Sequence, residues 1–230
     1  MDEALKSYIK LNIFLGYSIY IDEEIGELYC PKIKEINVGL IYYIYMFNKF
    51  IDLYDEDKDS FFNNITKTED IIREFMTFVS FFKKTENIYF KFNTFYFDKN
   101  CINNKNINLF MDTIKIMHHM DKKIDDYKPA NKVAEEMLKR ARKLRKEMQQ
   151  KIKKKDGIGF LEIMSSVCAR HPSINQLNIH DLSYFQIIEQ YMRLQKIDDY
   201  EVNMNALVSG TLGEEGRKKI KHYSSKIENE

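Results

Sequence analysis

Residues 33–53 read IKEINVGLIYYIYMFNKFIDL, and the fold turns on how this run is interpreted. Ile33, Ile36, Leu40, Tyr43, Ile44, Phe47 and Ile51 recur at three- and four-residue spacing, which predicts an α-helix over Ile33–Leu53. The remaining positions are also largely apolar, so the predicted helix is a core helix, buried on most sides. Gly39 would cost it about 1 kcal/mol relative to Ala, tolerable where another backbone packs closely. The most apolar part, Val38–Phe47, ends at Asn48 and Lys49 after about ten residues. A membrane span needs about 20.

Toward the N-terminus, Asp2–Phe14 suits a short helix with Gly16 just past its end. Tyr17–Ile21 and Glu27–Cys30 flank Asp22–Gly26 as a small hairpin closed by Pro31. Toward the C-terminus, the acidic stretch Asp55–Asp59 reads as a loop. Thr66 and Glu69 have capping-box spacing ahead of a helix over Ile71–Phe82, with Ile71, Phe75, Phe78 and Phe82 as its stripe. Ile88–Phe92 and Phe95–Phe97 predict a second hairpin turning at Asn93-Thr94. Asn106 is placed to cap a helix through Met120, and Pro129 then breaks the chain.

Asn131–Lys155 differs from its surroundings: 11 Lys/Arg against three Glu leave a net of +8. It lacks Gly and Pro and carries favourable i,i+4 pairs, Glu135 with Lys139 and Glu136 with Arg140. Val133, Met137, Ala141, Leu144, Met148 and Ile152 form one narrow apolar stripe. A long basic helix is expected, with Gly157 as its stop. Beyond it, Phe160–Cys168 predicts a short helix ending near His171-Pro172. Ser183 and Gln186 form a capping box that opens a helix over Tyr184–Gln195. Asp198-Asp199 should break or recap it, Gly210 should stop the continuation through Leu207, and Arg217–Ile227 could form a last short helix.

The predicted fold is therefore mainly α with small β-hairpins (a minor α+β element), a helical bundle with a long basic helix. Residues 1–130 form an N-terminal helical lobe with the hairpins, 131–155 the basic connecting helix, and 156–230 a C-terminal helical lobe. Composition agrees: 44% hydrophobic and 31% charged residues suit a folded chain, and eight Gly and three Pro are too few for a turn-rich sandwich. Met1–Lys10 carries Asp2 and Glu3 and no small-residue cleavage site, so a signal peptide is not expected and the cytoplasm is. Cys30, Cys101 and Cys168 are odd in number and far apart, which reads as free thiols in a reducing compartment.

No pattern for catalysis, metal or cofactor rises from the residues. HExxH, Cys/His ligand spacing, GxxxxGK[ST] and GxGxxG are all missing. His118 and His119, being adjacent, would diverge by about 100° on a helix, and the histidines read as solvent-facing or capping. Asp125-Asp126 and Asp198-Asp199 read as caps and turns. The basic segment is a candidate nucleic-acid site, but it has no aromatics for stacking, its charges surround the helix, and the whole chain sums to +1. The expectation is no enzyme, no cofactor and no metal.

Taken in order, several stretches resemble the tail-assembly chaperones of tailed phages and prophages of low-GC Gram-positive bacteria. They are Tyr8-Ile9-Lys10-Leu11-Asn12; Cys30-Pro31-Lys32-Ile33-Lys34-Glu35-Ile36; and Tyr127-Lys128-Pro129-Ala130-Asn131 before a basic helix. Asp181-Leu182-Ser183-Tyr184-Phe185-Gln186 follows, continuing through Tyr191–Gln195. Last come Asn205–Gly210 and His222-Tyr223-Ser224-Ser225-Lys226-Ile227. Tyr223 stands where that family often has Trp, and residues 55–100 show no counterpart.

The resemblance implies a non-enzymatic role in tail morphogenesis. Such proteins keep the long tape-measure protein soluble and help tail-tube subunits polymerise around it, in the host cell cytoplasm. They do not stay in the mature particle, and some are made in two lengths by frameshifting. A client helix would lay its apolar stripe against flexible Met and aromatic side chains. Met137, Leu144 and Met148 are candidates, as are Phe185, Ile188, Tyr191 and Met192; the alternative is that both stripes close the chain's own core. The tape-measure protein is the expected partner, with the tail-tube protein and self-association as further options. A structural virion component (connector or stopper) and a nucleic-acid-binding regulator acting through the basic helix are the rival readings.

Overall fold

The computed structural model describes residues 2–36, 39–85, 87–120, 159–211 and 220–225. The described chain is mainly helical with two small antiparallel sheets. The basic segment Asn131–Lys155 lies outside the described residues, as do Met137, Leu144 and Met148.

Helix α1 spans Glu3–Phe14, with Asp2 as its cap and Ile9 and Ile13 buried on one face. Gly16 follows at φ +77°. Strands β1 (Ile19–Tyr20) and β2 (Glu27–Leu28) pair antiparallel. The Asp22 carboxylate tightens the turn between them by accepting from the Ile25 amide at 2.6 Å.

The predicted helix over Ile33–Leu53 is not continuous. Ile33–Glu35 forms a single 3-10 turn, and α2 begins at Leu40 and runs to Glu56. Gly39 lies between them at φ +87°, ψ 140°. Side chains are essentially excluded from that conformation, so the glycine ends one element and opens the next. The predicted burial is also corrected. Tyr43, Met46, Phe47, Phe50, Ile51 and Tyr54 face inward, but Ile41, Tyr42 and Tyr45 are exposed. A helix packed on one side of a core buries one stripe, whatever the composition of its other faces.

Helix α2 also absorbs Asp55 and Glu56 from the expected loop. Asp55 pairs with the buried Lys115 at 2.6 Å, and the Tyr54 hydroxyl donates to Asp112 at 3.0 Å. A short helix α3 (Phe61–Ile65), not anticipated, precedes α4 (Glu69–Lys83). The cap of α4 is Thr68, whose hydroxyl oxygen accepts from the Ile71 amide at 3.4 Å. Thr66 instead ends α3, donating to the Phe62 carbonyl at 3.0 Å.

Phe75, Phe78 and Phe82 of α4 are fully buried. The Phe75 ring is the hub: its centroid lies 5.2 Å from Phe50, 4.9 Å from Phe95 and 5.8 Å from Phe78, in edge-on or tilted arrangements. Burying each such ring contributes about 1.5–3 kcal/mol, and offset ring pairs add to it.

Strands β3 (Ile88–Lys91), β4 (Thr94–Phe97) and β5 (Asn100–Ile102) form an antiparallel meander. The β3–β4 turn is Phe92-Asn93, both at positive φ, one residue earlier than expected. The register Lys91↔Thr94 points Phe95 and Phe97 into the core. A slip of one residue would turn both outward. Strand β5 is only three residues long and carries too little pattern to be predicted.

Helix α5 (Ile107–Met117) stops before Met120, because His119 takes positive φ. Asn106 holds the position before it, but its side chain accepts from the Asn103 amide at 2.9 Å and donates to Glu24 at 2.8 Å. It fastens α5 to the first hairpin.

Helices α6 (Phe160–Arg170) and α7 (Tyr184–Val208) pack together, joined through a 3-10 turn at Ile179–Asp181. The Ser183–Gln186 capping box opens α7 as the sequence predicts. The break expected at Asp198-Asp199 does not occur. Asp198 pairs with Arg170 of α6, so its carboxylate ties two helices and caps none. Gly210 follows the helix end at φ +74°. Residues 220–225, part of the last predicted helix, form a turn; 217–219 and 226–227 lie outside the described residues.

Candidate interaction surfaces

The chain from Cys30 to Ile36 meets the start of α7. Lys32 and Ser183 form an antiparallel bridge, and the Ile33 amide donates to the Leu182 carbonyl at 3.0 Å. Ser183 is buried, and its amide donates to Gln186 Oε1 at 2.9 Å while its hydroxyl oxygen accepts from the Gln186 amide at 3.3 Å. The far end of Gln186 donates to the Phe14 carbonyl at 3.0 Å. One capping box thus starts α7 and docks it on α1. Packing follows the same seam: Phe185 joins the main core, Ile187 joins a second cluster with Val167 and Ile179, and Ile33 touches both.

A buried polar cluster lies against this seam. Tyr43 and His118 are hydrogen-bonded, Phe47 stacks on the His118 ring at 3.9 Å, and Tyr184 lies 5.3 Å away. Cys30 is near, its sulfur 4.0 Å from the Met117 carbonyl. Such a grouping invites comparison with a Cys/His nucleophile, which requires a thiolate and a base. Burial works against both. It pushes the Cys30 thiol up to about 11 and the His118 imidazole down to about 3, so the thiol and the ring are both held neutral. Of the two expectations for His118, capping holds, since it is the C-cap residue of α5 and its Nδ1 lies 2.9 Å from the Ile114 carbonyl, whereas exposure to solvent does not, since the ring is buried. Among the described residues, no three His, Cys, Asp or Glu side chains are grouped to hold a metal ion. Nor is any described helix long and apolar enough to cross a membrane.

The residues singled out on α7 fall on different surroundings. Phe185 is 2% exposed and stacks on His119 at 4.1 Å, inside the main core. Ile188, Tyr191 and Met192 are half-buried, and Tyr191 packs against the second cluster. Met137, Leu144 and Met148 lie outside the described residues.

Two exposed apolar patches escaped the sequence reading. One surrounds the start of α2: Leu40, Ile41, Tyr42 and Tyr45 line a shallow depression beside Gly39, with Ile41 87% exposed. The other covers the end of α1, where Leu11, Phe14, Leu15 and Tyr17 are exposed. The signal for the first was present: α2 has more apolar residues than one buried stripe can hold.

The distal part of α7 carries a third feature. Arg193 Nη1 donates to the carbonyl oxygens of Tyr223 at 2.6 Å and Ser225 at 3.1 Å. Lys196 donates to the Ser225 carbonyl and hydroxyl at 3.3 and 3.2 Å. The Tyr200 ring meets His222 and Tyr223 edge-on at 5.2 and 5.6 Å.

Comparison with known proteins adds one relation. Residues 151–228 match the family model described as the YomV second domain, a family associated with phages and prophages. The match covers the C-terminal third of the chain, including α6, α7 and the 220–225 turn. No curated protein and no solved structure matches the chain.

Proposed function

We propose that this protein is a non-enzymatic phage tail morphogenesis factor, a tail-assembly chaperone that binds the tape-measure protein and keeps it soluble. The ordered sequence resemblance and the match of residues 151–228 to a phage-associated domain both support a phage setting. The observation that carries the binding role is the cluster of Ile41, Tyr42 and Tyr45 at the surface of a helix whose other face fills a closed aromatic core. Contiguous exposed apolar side chains mark interaction sites. Tyr and Ile beside a glycine offer contact area to the apolar stripe of an amphipathic helix, the repeating feature of a long helical client.

Co-expression with a long helical tape-measure protein tests this. The client should move from the pellet to the soluble fraction, and an Ile41→Ser, Tyr45→Ser double variant should fold normally yet lose that effect. A client equally soluble with and without the chain would remove the chaperone reading. Recovery of the chain from purified particles would favour a virion component.

A further inference from the structure

We propose that the distal face of α7 is a recognition site for a short turn bearing two adjacent aromatic rings, and that the chain's own His222–Ser225 turn occupies it as a displaceable latch. The inference stands apart from the chaperone reading, because it rests on contacts within the region matched to the YomV second domain.

The seat is built from three side chains spaced three and four residues apart along the helix, which keeps them on one face. Arg193 and Lys196 take the carbonyl oxygens of residues 223 and 225, and Tyr200 takes the two rings. The Arg193 guanidinium is aimed from behind by Glu189, one helical turn back, at 3.7 Å from Nη2. The ligand is pre-shaped. The Ser225 amide donates to the His222 carbonyl at 2.9 Å, and His222 Nδ1 accepts from the Ser224 amide at 3.2 Å. Those bonds fold the turn so that its rings face Tyr200, with the His222 and Tyr223 centroids 4.1 Å apart.

Recognition through carbonyl oxygens reads backbone shape, which any turn of this form presents; the rings supply selectivity. The contact is also shallow. Tyr223 stays 42% exposed, and the Arg193 bond to its carbonyl is exposed, while the bonds to Ser225 are part-buried. A tethered turn holds such a seat through its high effective concentration, of millimolar order, more than through intrinsic affinity. A partner displaying an equivalent aromatic turn would therefore compete with the latch.

A labelled synthetic peptide spanning residues 220–225 is the probe. Full-length His222→Ala, Tyr223→Ala protein, checked for native helicity, should bind it at least about tenfold more tightly than the wild-type chain, whose seat is filled. Adding Arg193→Gln and Lys196→Gln should abolish that binding. Equal binding by the wild type and the first variant, or none by that variant, would overturn the proposal. A second measurement leaves the turn intact: Arg193→Gln alone should speed tryptic cleavage after Lys221 several-fold, and an unchanged rate would count equally against the latch.

Discussion

The Tyr43 hydroxyl lies 2.5 Å from Nε2 of His118, and both groups are buried. The other ring nitrogen, Nδ1, lies 2.9 Å from the Ile114 carbonyl, which can only accept. Nδ1 therefore carries the proton, and Nε2 accepts from Tyr43. The pair joins α2 to the end of α5 at the seam with α7.

Removing the hydroxyl should be costly for its size. Tyr43→Phe leaves Nε2 buried and unsatisfied and should destabilise the fold by about 1–3 kcal/mol, read from urea denaturation. No loss of stability would mean that the bond does not form in solution.

The same ring gives a pH dependence. Burial pushes His118 from its ordinary 6.5 down to about 3, so between those values the unfolded chain binds the proton and the folded chain does not. Stability from this group is complete above pH 6.5 and falls as the pH drops toward 3. His118→Gln should flatten the slope of unfolding free energy between pH 6.5 and 5 relative to wild type. Parallel slopes would assign the acid sensitivity to carboxylates.

Gly39→Ala decides between a helix interior and a helix boundary. In a continuous helix, alanine would stabilise by about 1 kcal/mol. At φ +87° it should destabilise by about 1–3 kcal/mol, although nothing lies within 4 Å of the new methyl group. The sign of the shift in melting temperature suffices to tell them apart.

Cys30 should be slow to alkylate. With its thiol pushed up to about 11 by burial, little thiolate exists at pH 8. Iodoacetamide followed by peptide mass spectrometry should show Cys168 labelled well before Cys30 in the native chain, with the difference lost in urea.

Ser183→Ala should cost about 0.5–2 kcal/mol, the usual loss for a helix cap. It should also raise hydrogen exchange at Ile33, whose amide bonds Leu182 beside it. Unchanged exchange at Ile33 would make the cap local to α7 and separate it from the seam.

Local chemistry was legible from the sequence. The capping box Ser183–Gln186, the stripe Phe75, Phe78 and Phe82, the Asp22–Gly26 turn and the glycine stop at Gly210 each depend on neighbours within a few residues, and each is observed. Tertiary structure decided what competing local signals left open. Gly39, at φ +87°, separates the 3-10 turn at Ile33–Glu35, tied to the start of α7, from α2, whose inward face fills the aromatic core. Asp198 fails to break α7 because Arg170 of another helix claims its carboxylate. His118 leaves the surface because Tyr43, 75 residues earlier, offers a buried proton donor. Periodicity says that a helix has an apolar face; only the packed neighbours determine which apolar residues, such as Ile41 and Tyr45, are left for another molecule.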